Sequence, residues 1–379
     1  MRNRVLLLAC LLGTVIANAQ RHKVNINTET PEGQILQQIG QEEDAAKKIA
    51  LMEQFATQYP KHEASAWVYE LMVPAYAKAG QFDKAMGAAE KLLALDPADA
   101  QGAHEALKAA EAKKDPDAVK KWAVLTSEAA RKVVQSKKGE DEEEEEFKQK
   151  IDFAKQVDVY TEYSLYAMAL QTTDPAKRAE LAETLAERNP NSQYLPQVVP
   201  HLFSAYIQSG QGPKAVALAE KADASGQANE EMLLALAGSY RSEKKPPEKV
   251  LAYAEKTIQV VSAAQKPQGV SDADWEKRKV AITGRANFIA GATHFAQNKF
   301  ADADKVLRVA LPGIKDDQQM TAEALFYLGV SNYRLGEKGE TERIKDALAF
   351  SQQCANIAGP FQAPARTNVK AIRSRYRVQ

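Results

Sequence analysis

The sequence contains very few cysteines, since Cys10 and Cys354 are the only two among 379 residues. If the leader that contains Cys10 is removed, no disulfide can form within the chain, and the packed core alone must hold the fold. A single cysteine of this kind is more often a small buried apolar residue than a reactive thiol, and we expect Cys354 to be buried.

The sequence also lacks an excess of either charge, with 50 basic and 50 acidic residues. Nucleic-acid binding usually requires a basic surplus, so nucleic acid is not an expected partner. No apolar run reaches the roughly 20 residues that a membrane span needs, and we therefore expect no transmembrane segment.

Motifs of catalysis and metal binding are missing too. The chain has no nucleophile elbow and no phosphate-binding loop, and its histidines lack the spacing of a zinc site; they are His22, His62, His104, His201 and His294. The acidic run at 139–150 lacks the alternation of a calcium loop and predicts a helix N-terminus, where carboxylates suit the helix dipole. The sequence thus predicts no catalytic residue, cofactor or metal, and no enzyme.

The first twenty residues have the composition of an export signal. Arg2 and Arg4 precede a short apolar stretch at 5–16, and Ala17-Asn18-Ala19 forms a small-residue cleavage site. This pattern predicts a signal peptide over 1–19, a mature chain that starts at Gln20, and an exported protein that is periplasmic or secreted. An alternative is a lipoprotein acylated at Cys10, and peripheral association with the envelope is compatible with either.

A helix–turn–helix unit is visible around the stretch AYAKAGQFDKAMGAAEKLLALDP at 75–97. Apolar residues at helical spacing define the first helix, and these are Tyr69, Met72, Val73 and Tyr76. Gly80 lies where that helix must stop, and Pro97 ends the second helix. The second helix carries small or apolar residues at Ala85, Ala89 and Leu92.

The pattern returns from Pro196, around Tyr240, from Gly284 and from Ala322, and it resembles the tetratricopeptide repeat (TPR). The resemblance implies an all-α fold, a right-handed α-solenoid of stacked helical hairpins. We expect N-terminal hairpins over 20–135, a hairpin with an acidic start over 136–190, C-terminal hairpins over 191–360, and a basic capping helix over 361–379. In the 136–190 hairpin the small packing position falls on Arg178.

The resemblance further implies a concave groove lined by the first helix of each hairpin. Carried over position by position, the groove candidates are Trp67, Glu70, Lys78, Gln208, Arg241, Arg285, Phe288, Phe295, Phe326, Tyr333 and Arg334. In the C-terminal repeats Arg285 and Arg334 are expected to flank an aromatic strip, which would suit an extended segment with acidic and apolar side chains. The sequence therefore favours a non-enzymatic scaffold of the cell envelope that binds a peptide or helix of a protein partner in the concave groove. The alternative is a periplasmic helical shell that acts as an enzyme or binds a small ligand.

Overall fold

The computed structural model describes residues 21–140, 142–340 and 342–376. The predicted signal peptide and Cys10 lie outside the described residues. Within the described part the chain forms 17 α-helices and no strand. The first nine are α1 (Pro31–Gln41), α2 (Ala45–Gln58), α3 (Ser65–Lys78), α4 (Phe82–Leu95), α5 (Ala100–Lys113), α6 (Pro116–Gln135), α7 (Glu144–Gln171), α8 (Pro175–Arg188) and α9 (Leu195–Gln208). The others are α10 (Gly212–Ala224), α11 (Glu230–Ser242), α12 (Pro247–Ala263), α13 (Asp272–Ala296), α14 (Phe300–Ile314), α15 (Gln318–Glu337), α16 (Arg343–Ala355) and α17 (Gln362–Tyr376).

The chain divides into two compact units, residues 1–202 and 203–379, with the boundary inside α9. In the first unit, α3 packs on α4, α5 on α6 and α7 on α8, and the first helices of these hairpins also contact each other in the order α3, α5, α7. In the second unit, α11, α13, α15 and α17 form a similar succession. Each unit is thus an all-α stack of tetratricopeptide-like hairpins, as the sequence predicts.

Polar side chains and glycines fix the helix ends. Eight helices begin at a residue whose side chain accepts a hydrogen bond from the first turn, namely Thr30, Asp44, Asp99, Asp115, Asp174, Asn229, Ser271 and Asp317. The end of α3 is a Schellman turn, in which Gly80 has a φ of +70° and the Gln81 amide donates to the Tyr76 carbonyl at 2.9 Å. Left-handed backbone of this kind favours glycine, which explains Gly80 at the hairpin turn.

Small residues bring the two helices of a hairpin together. Ala85 and Ala89 of α4 are completely buried against the core. Helices α13 and α14 approach each other closely, since a Cβ added to Gly284 would lie 2.6 Å from the Cα of Gly313. Glycine at both positions is therefore a packing requirement of this hairpin.

Two expectations about the 136–190 hairpin have different outcomes. Helix α7 begins within the acidic run, with Glu144, Glu145 and Glu146 in its first turn, so the predicted helix start is confirmed. The small packing position is expected at Arg178 but lies at Ala179, which is buried. The guanidinium of Arg178 instead donates to the carbonyl of Thr172, from Nε at 3.0 Å and from Nη2 at 2.8 Å.

Cys354 is fully buried in α16, as the sequence predicts. Its thiol donates to the carbonyl of Ala322 at 3.3 Å, and burial raises its pKa to about 11. Among the helices that the structure describes, none is long and apolar enough to cross a membrane.

Candidate functional site: helix faces that could hold a partner

Several of the predicted groove residues meet in the second unit. The guanidinium of Arg241 on α11 lies 5.3 Å from the ring centroid of Phe288 on α13 and donates to Glu323 on α15 at 2.5 Å. Glu323 also accepts a hydrogen bond from the hydroxyl of Tyr327 at 2.8 Å. One carboxylate thus joins a cation and a phenol drawn from two helices.

Tyr327 connects the remaining predicted aromatic residues of this cluster. Its ring stacks on Phe295, with centroids 4.2 Å apart and planes inclined by 25°, and it also meets Phe326 and Phe361. Burial, and secondarily the Glu323 carboxylate, raises the pKa of Tyr327 to about 12. Phe288 is only 3% exposed and belongs to the core, so it supports the cluster from beneath and offers no surface to a partner.

The other C-terminal candidates lie apart from this cluster. Arg285 is exposed and lines a shallow depression beside Asp316 and Asp317. Arg334 forms an ion pair with Glu337, at 3.1 Å. Tyr333 accepts a hydrogen bond from Arg375 of α17 at 2.7 Å and packs under that terminal helix. Within the described residues no hydrogen bond, ion pair or cation–π contact joins either arginine to the aromatic cluster, and partner binding by this pair stays a prediction.

The remaining candidates differ in accessibility. Trp67 is 6% exposed and belongs to the core of the first unit, whereas Lys78 is exposed at the end of α3. Gln208 is exposed at the end of α9, where its amide donates to the hydroxyl of Ser204 at 3.0 Å. Glu70 is engaged by the N-terminal segment, as described below.

The structure reveals an apolar surface that the repeat pattern did not predict. Val159, Tyr163 and Leu170 of α7 are 51%, 47% and 40% exposed, and they lie with Tyr166 at spacings of four, three and four residues. These spacings place the four side chains on one face of the helix. We call this set, together with Tyr194, the tyrosine stripe.

Aromatic contacts hold the stripe in place. Tyr194, which precedes α9, lies 6.0 Å from Tyr163 and stacks on Tyr166 at 5.0 Å between centroids. The Tyr166 hydroxyl donates to Gln197 on α9 at 2.7 Å. On the other side, the ring of Tyr163 approaches Tyr160 at 6.2 Å.

Tyr160 ties the stripe to the neighbouring helix α5. Its hydroxyl donates to Glu111 at 2.7 Å, and its ring meets the imidazole of His104 edge-on at 4.9 Å. Burial lowers the pKa of His104 to about 4, with a smaller effect of Lys108. At neutral pH His104 is therefore an uncharged, largely apolar neighbour of the aromatic rings.

The N-terminal segment occupies a second surface of the first unit. Residues 21–27 form no helix, and we call them the N-terminal strap. The two carboxylate oxygens of Glu70 on α3 accept hydrogen bonds from the backbone amides of Arg21, at 2.9 Å, and His22, at 3.2 Å. Arg21 Nε contacts Asp96 at 2.5 Å, and His22 Nε2 lies 3.3 Å from Asp99. We call Glu70, Asp96 and Asp99 the acidic recess.

One imidazole nitrogen and two carboxylates in this recess have the donor types of a metal site. The ligand atoms of His22, Asp96 and Asp99 lie within 4.8 Å of one another. The guanidinium of Arg21, however, contacts the same Asp96 oxygen that faces His22. A positive charge already occupies the place of an ion, so the arrangement fits a peptide clamp better than a metal site.

Sequence reasoning missed the tyrosine stripe, and of the acidic recess it named only Glu70. The tyrosine stripe lies in a hairpin that matches the repeat signature poorly, although its spacing on α7 was a usable signal. The recess joins residues about 50 to 80 positions apart, and no local pattern indicates such a contact.

Comparisons with known proteins add little to this description. No model of a protein family matches the chain, and no curated protein is detectably similar to it. Among solved structures, the TPR domain of P58(IPK) matches with a TM-score of 0.33 and 10% identity, over 91% of this chain and 98% of that one. Yeast Tom70 matches with a TM-score of 0.35 and 10% identity, over 93% and 97% of the two chains. Scores this low carry no argument about function, and the assignment of the fold rests on the hairpins of the chain itself.

Proposed function

We propose that this protein is a non-enzymatic scaffold of the cell envelope. It binds a peptide or helix of a partner protein on the exposed face of the first helix of a hairpin. The proposal has a coarse part, protein binding, and a finer part, the exported location. The two are tested separately.

The tyrosine stripe is the observation that supports protein binding best. Single exposed apolar residues are ordinary, but a row of large ones along one helix face marks an interaction surface. Tyrosine contributes a large, rigid contact area and a hydroxyl, which is why it is enriched at the centre of interfaces. The residues of the stripe thus have the chemistry of an anchor for apolar side chains.

The length of the tyrosine stripe favours a short partner segment. The stripe extends from Val159 to Leu170, which is about three helical turns or roughly 16 Å. An amphipathic helix of a few turns, or an extended segment of about five residues, would cover that length. We therefore infer that the partner supplies a short apolar segment rather than a broad flat surface.

Photo-crosslinking tests this assignment even while the partner is unidentified. Benzoylphenylalanine replaces Tyr163 in one variant and Val309 in the matched control, because Val309 on α14 is also an exposed apolar residue, at 58%. In cells that express the protein naturally, a covalent adduct is expected from position 163 and not from position 309. The partner in the adduct is identified by mass spectrometry. It is then purified separately, and its binding to the unmodified chain is measured directly. Adducts of equal yield at both positions, or none at 163, would overturn the assignment.

The export of the chain is supported by Arg2, Arg4 and the small-residue cleavage site, all of which lie outside the described residues. A periplasmic or secreted location would give the scaffold access to envelope proteins. The mass of the mature chain tests this part, because cleavage of the leader removes a fixed set of residues.

A further inference from the structure

The acidic recess contacts both the backbone and the side chains of the strap. Glu70 receives two consecutive backbone amides, one on each carboxylate oxygen. Consecutive amides point to opposite sides of an extended strand, so two of them reach one carboxylate only because the backbone bends at Arg21 and His22, and these contacts do not depend on the side chains. Glu70 therefore recognises the conformation of the segment.

The two aspartates recognise charge, and the start of α5 holds them ready to do so. Asp96 accepts the amide of Ala98 at 3.0 Å on Oδ1, and Asp99 accepts the amide of Gly102 at 2.7 Å on Oδ1. In each aspartate this leaves Oδ2 for the strap, where it faces Arg21 or His22. Because the backbone of the α4–α5 junction fixes both carboxylates, the recess is preorganised for a basic ligand.

Only the first two residues of the strap make hydrogen bonds or ion pairs with the recess, whereas Asn27 at its other end accepts hydrogen bonds from Thr30 before α1. Lys23 and residues 25–29 are exposed, and the polar contacts with the recess come from Arg21 and His22. The ion pairs with Asp96 and Asp99 are partly buried, but they involve only these two strap residues, so a competing segment that makes the same contacts can replace the strap. The recess would then be accessible to another chain.

We propose that the acidic recess is a docking site for a non-helical basic segment of a protein partner, and that the chain's own strap occupies the site as an internal competitor. The inference rests on the proposed function in that the ligand is a protein segment. Its surface and ligand are separate from those of the tyrosine stripe. The ligand class is a backbone that bends at the recess and carries an arginine followed by a histidine or another cation.

Two short peptides probe the site. The first is the acetylated strap sequence RHKVNINTE, residues 21–29, and the second carries the Arg-His pair in an unrelated glycine–serine context. Both carry a fluorophore, and their binding is measured by anisotropy. The receptor is the full chain with R21S, H22S and K23S, whose recess is vacant. Circular dichroism checks that this receptor retains its helicity.

Both peptides are expected to bind the receptor at least ten-fold more tightly than the unmodified chain, in which the strap competes. In the receptor background, Glu70→Gln and Asp99→Asn should each weaken binding at least ten-fold. Asparagine is a good N-cap, so Asp99→Asn removes the charge and keeps the helix start. Glu63→Gln, at an exposed carboxylate of the α2–α3 connection, is the matched control and should change nothing.

Three results would overturn the proposal. Absence of binding to the receptor would show that the recess does not accept a segment in trans. Equal binding to the receptor and the unmodified chain would place the peptide elsewhere. Binding of the strap peptide alone would mean that the recess recognises only its own strap. The absence of a crosslinked adduct at position 163 would not change any of these peptide-binding results. The two proposals can therefore be refuted independently.

Discussion

The rings of Tyr166 and Tyr194 stack with their centroids 5.0 Å apart and their planes inclined by 17°. Tyr166 belongs to α7 and Tyr194 to the connection between α8 and α9, so the stack joins two segments of the first unit that α8 separates along the chain. Its position is fixed before any partner arrives. A fixed aromatic surface loses little conformational entropy on binding, which favours affinity.

The first prediction concerns that surface. Tyr163→Ala removes the exposed centre of the stripe and should weaken partner binding by about 2 kcal/mol, in the range of interface hot spots. Val309→Ala is the matched control on α14 and should have no effect. Isothermal titration calorimetry with the partner identified by crosslinking measures both. Equal affinities of the two variants would remove the stripe from the interface.

A second prediction concerns hairpin packing. Ala85 is completely buried, and Ala85→Leu should cost roughly 1–3 kcal/mol of unfolding free energy through overpacking. Ala88, which the repeat pattern places on the tolerant side, is 5% exposed and so is a poor control. Ala94 on the same helix is exposed, and Ala94→Leu should be nearly neutral. Urea denaturation of the two variants tests this prediction. Equal midpoints for Ala85→Leu and Ala94→Leu would mean that the packing register is wrong.

The Arg241–Glu323 pair provides a third prediction. Its side chains are 32% and 17% exposed, and Glu323 is held by Tyr327 as well. A double-mutant cycle with Arg241→Met and Glu323→Gln should give a coupling energy on the order of 0.5–3 kcal/mol. The same cycle at Glu342 and Lys345, which are 83% and 70% exposed, should give close to zero. If both cycles give the same value, the pair does not stabilise the second unit.

The fourth prediction is a pH dependence of the strap. The hydrogen bond to Asp99 raises the pKa of His22, helped by the charges of Glu70, Asp99 and Asp96 and opposed by burial. The stabilisation is therefore complete below the unfolded value of about 6.5 and is lost as pH rises through the higher folded pKa. Glutamine cannot titrate, so the melting temperature of the unmodified chain should exceed that of His22→Gln at pH 6, with a margin that disappears at higher pH. A margin constant from about pH 5.5 to about pH 9 would contradict this prediction.

Export gives the fifth prediction. Mass spectrometry of the native protein should show a chain that starts at Gln20, as the cleavage site at 17–19 predicts. A chain that starts at an acylated Cys10 would establish the lipoprotein alternative. An intact Met1, or its simple removal, would refute both.

The repeat signal in the sequence was enough to predict the hairpins. Tyr76, Gly80 and Ala85 have physical roles that depend on nearby residues only: an apolar helix face, a left-handed turn and a close helix contact. Such local requirements recur at the repeat period. They are therefore visible without a structure.

The candidate site was predicted only in part, since it depends on contacts between distant residues. Arg241, Phe295 and Phe326 were expected on one surface, and the structure joins them through Glu323 and Tyr327. The repeat pattern could not show that α17 would cover Tyr333, because that helix lies outside the repeat. It also could not show that Glu70 would be engaged by residues 49 and 48 positions earlier in the chain.

The burial of Cys354 makes this thiol a natural probe of local opening in the C-terminal hairpin. The sulfur is sealed between α15, α16 and the start of α17, and a thiol with a pKa of about 11 scarcely reacts at neutral pH even where a reagent reaches it. Labelling therefore requires an opening of the C-terminal hairpin, which both admits the reagent and restores an ordinary thiol. The labelling rate of Cys354 thus reports on the opening of the last hairpin, without any engineered probe.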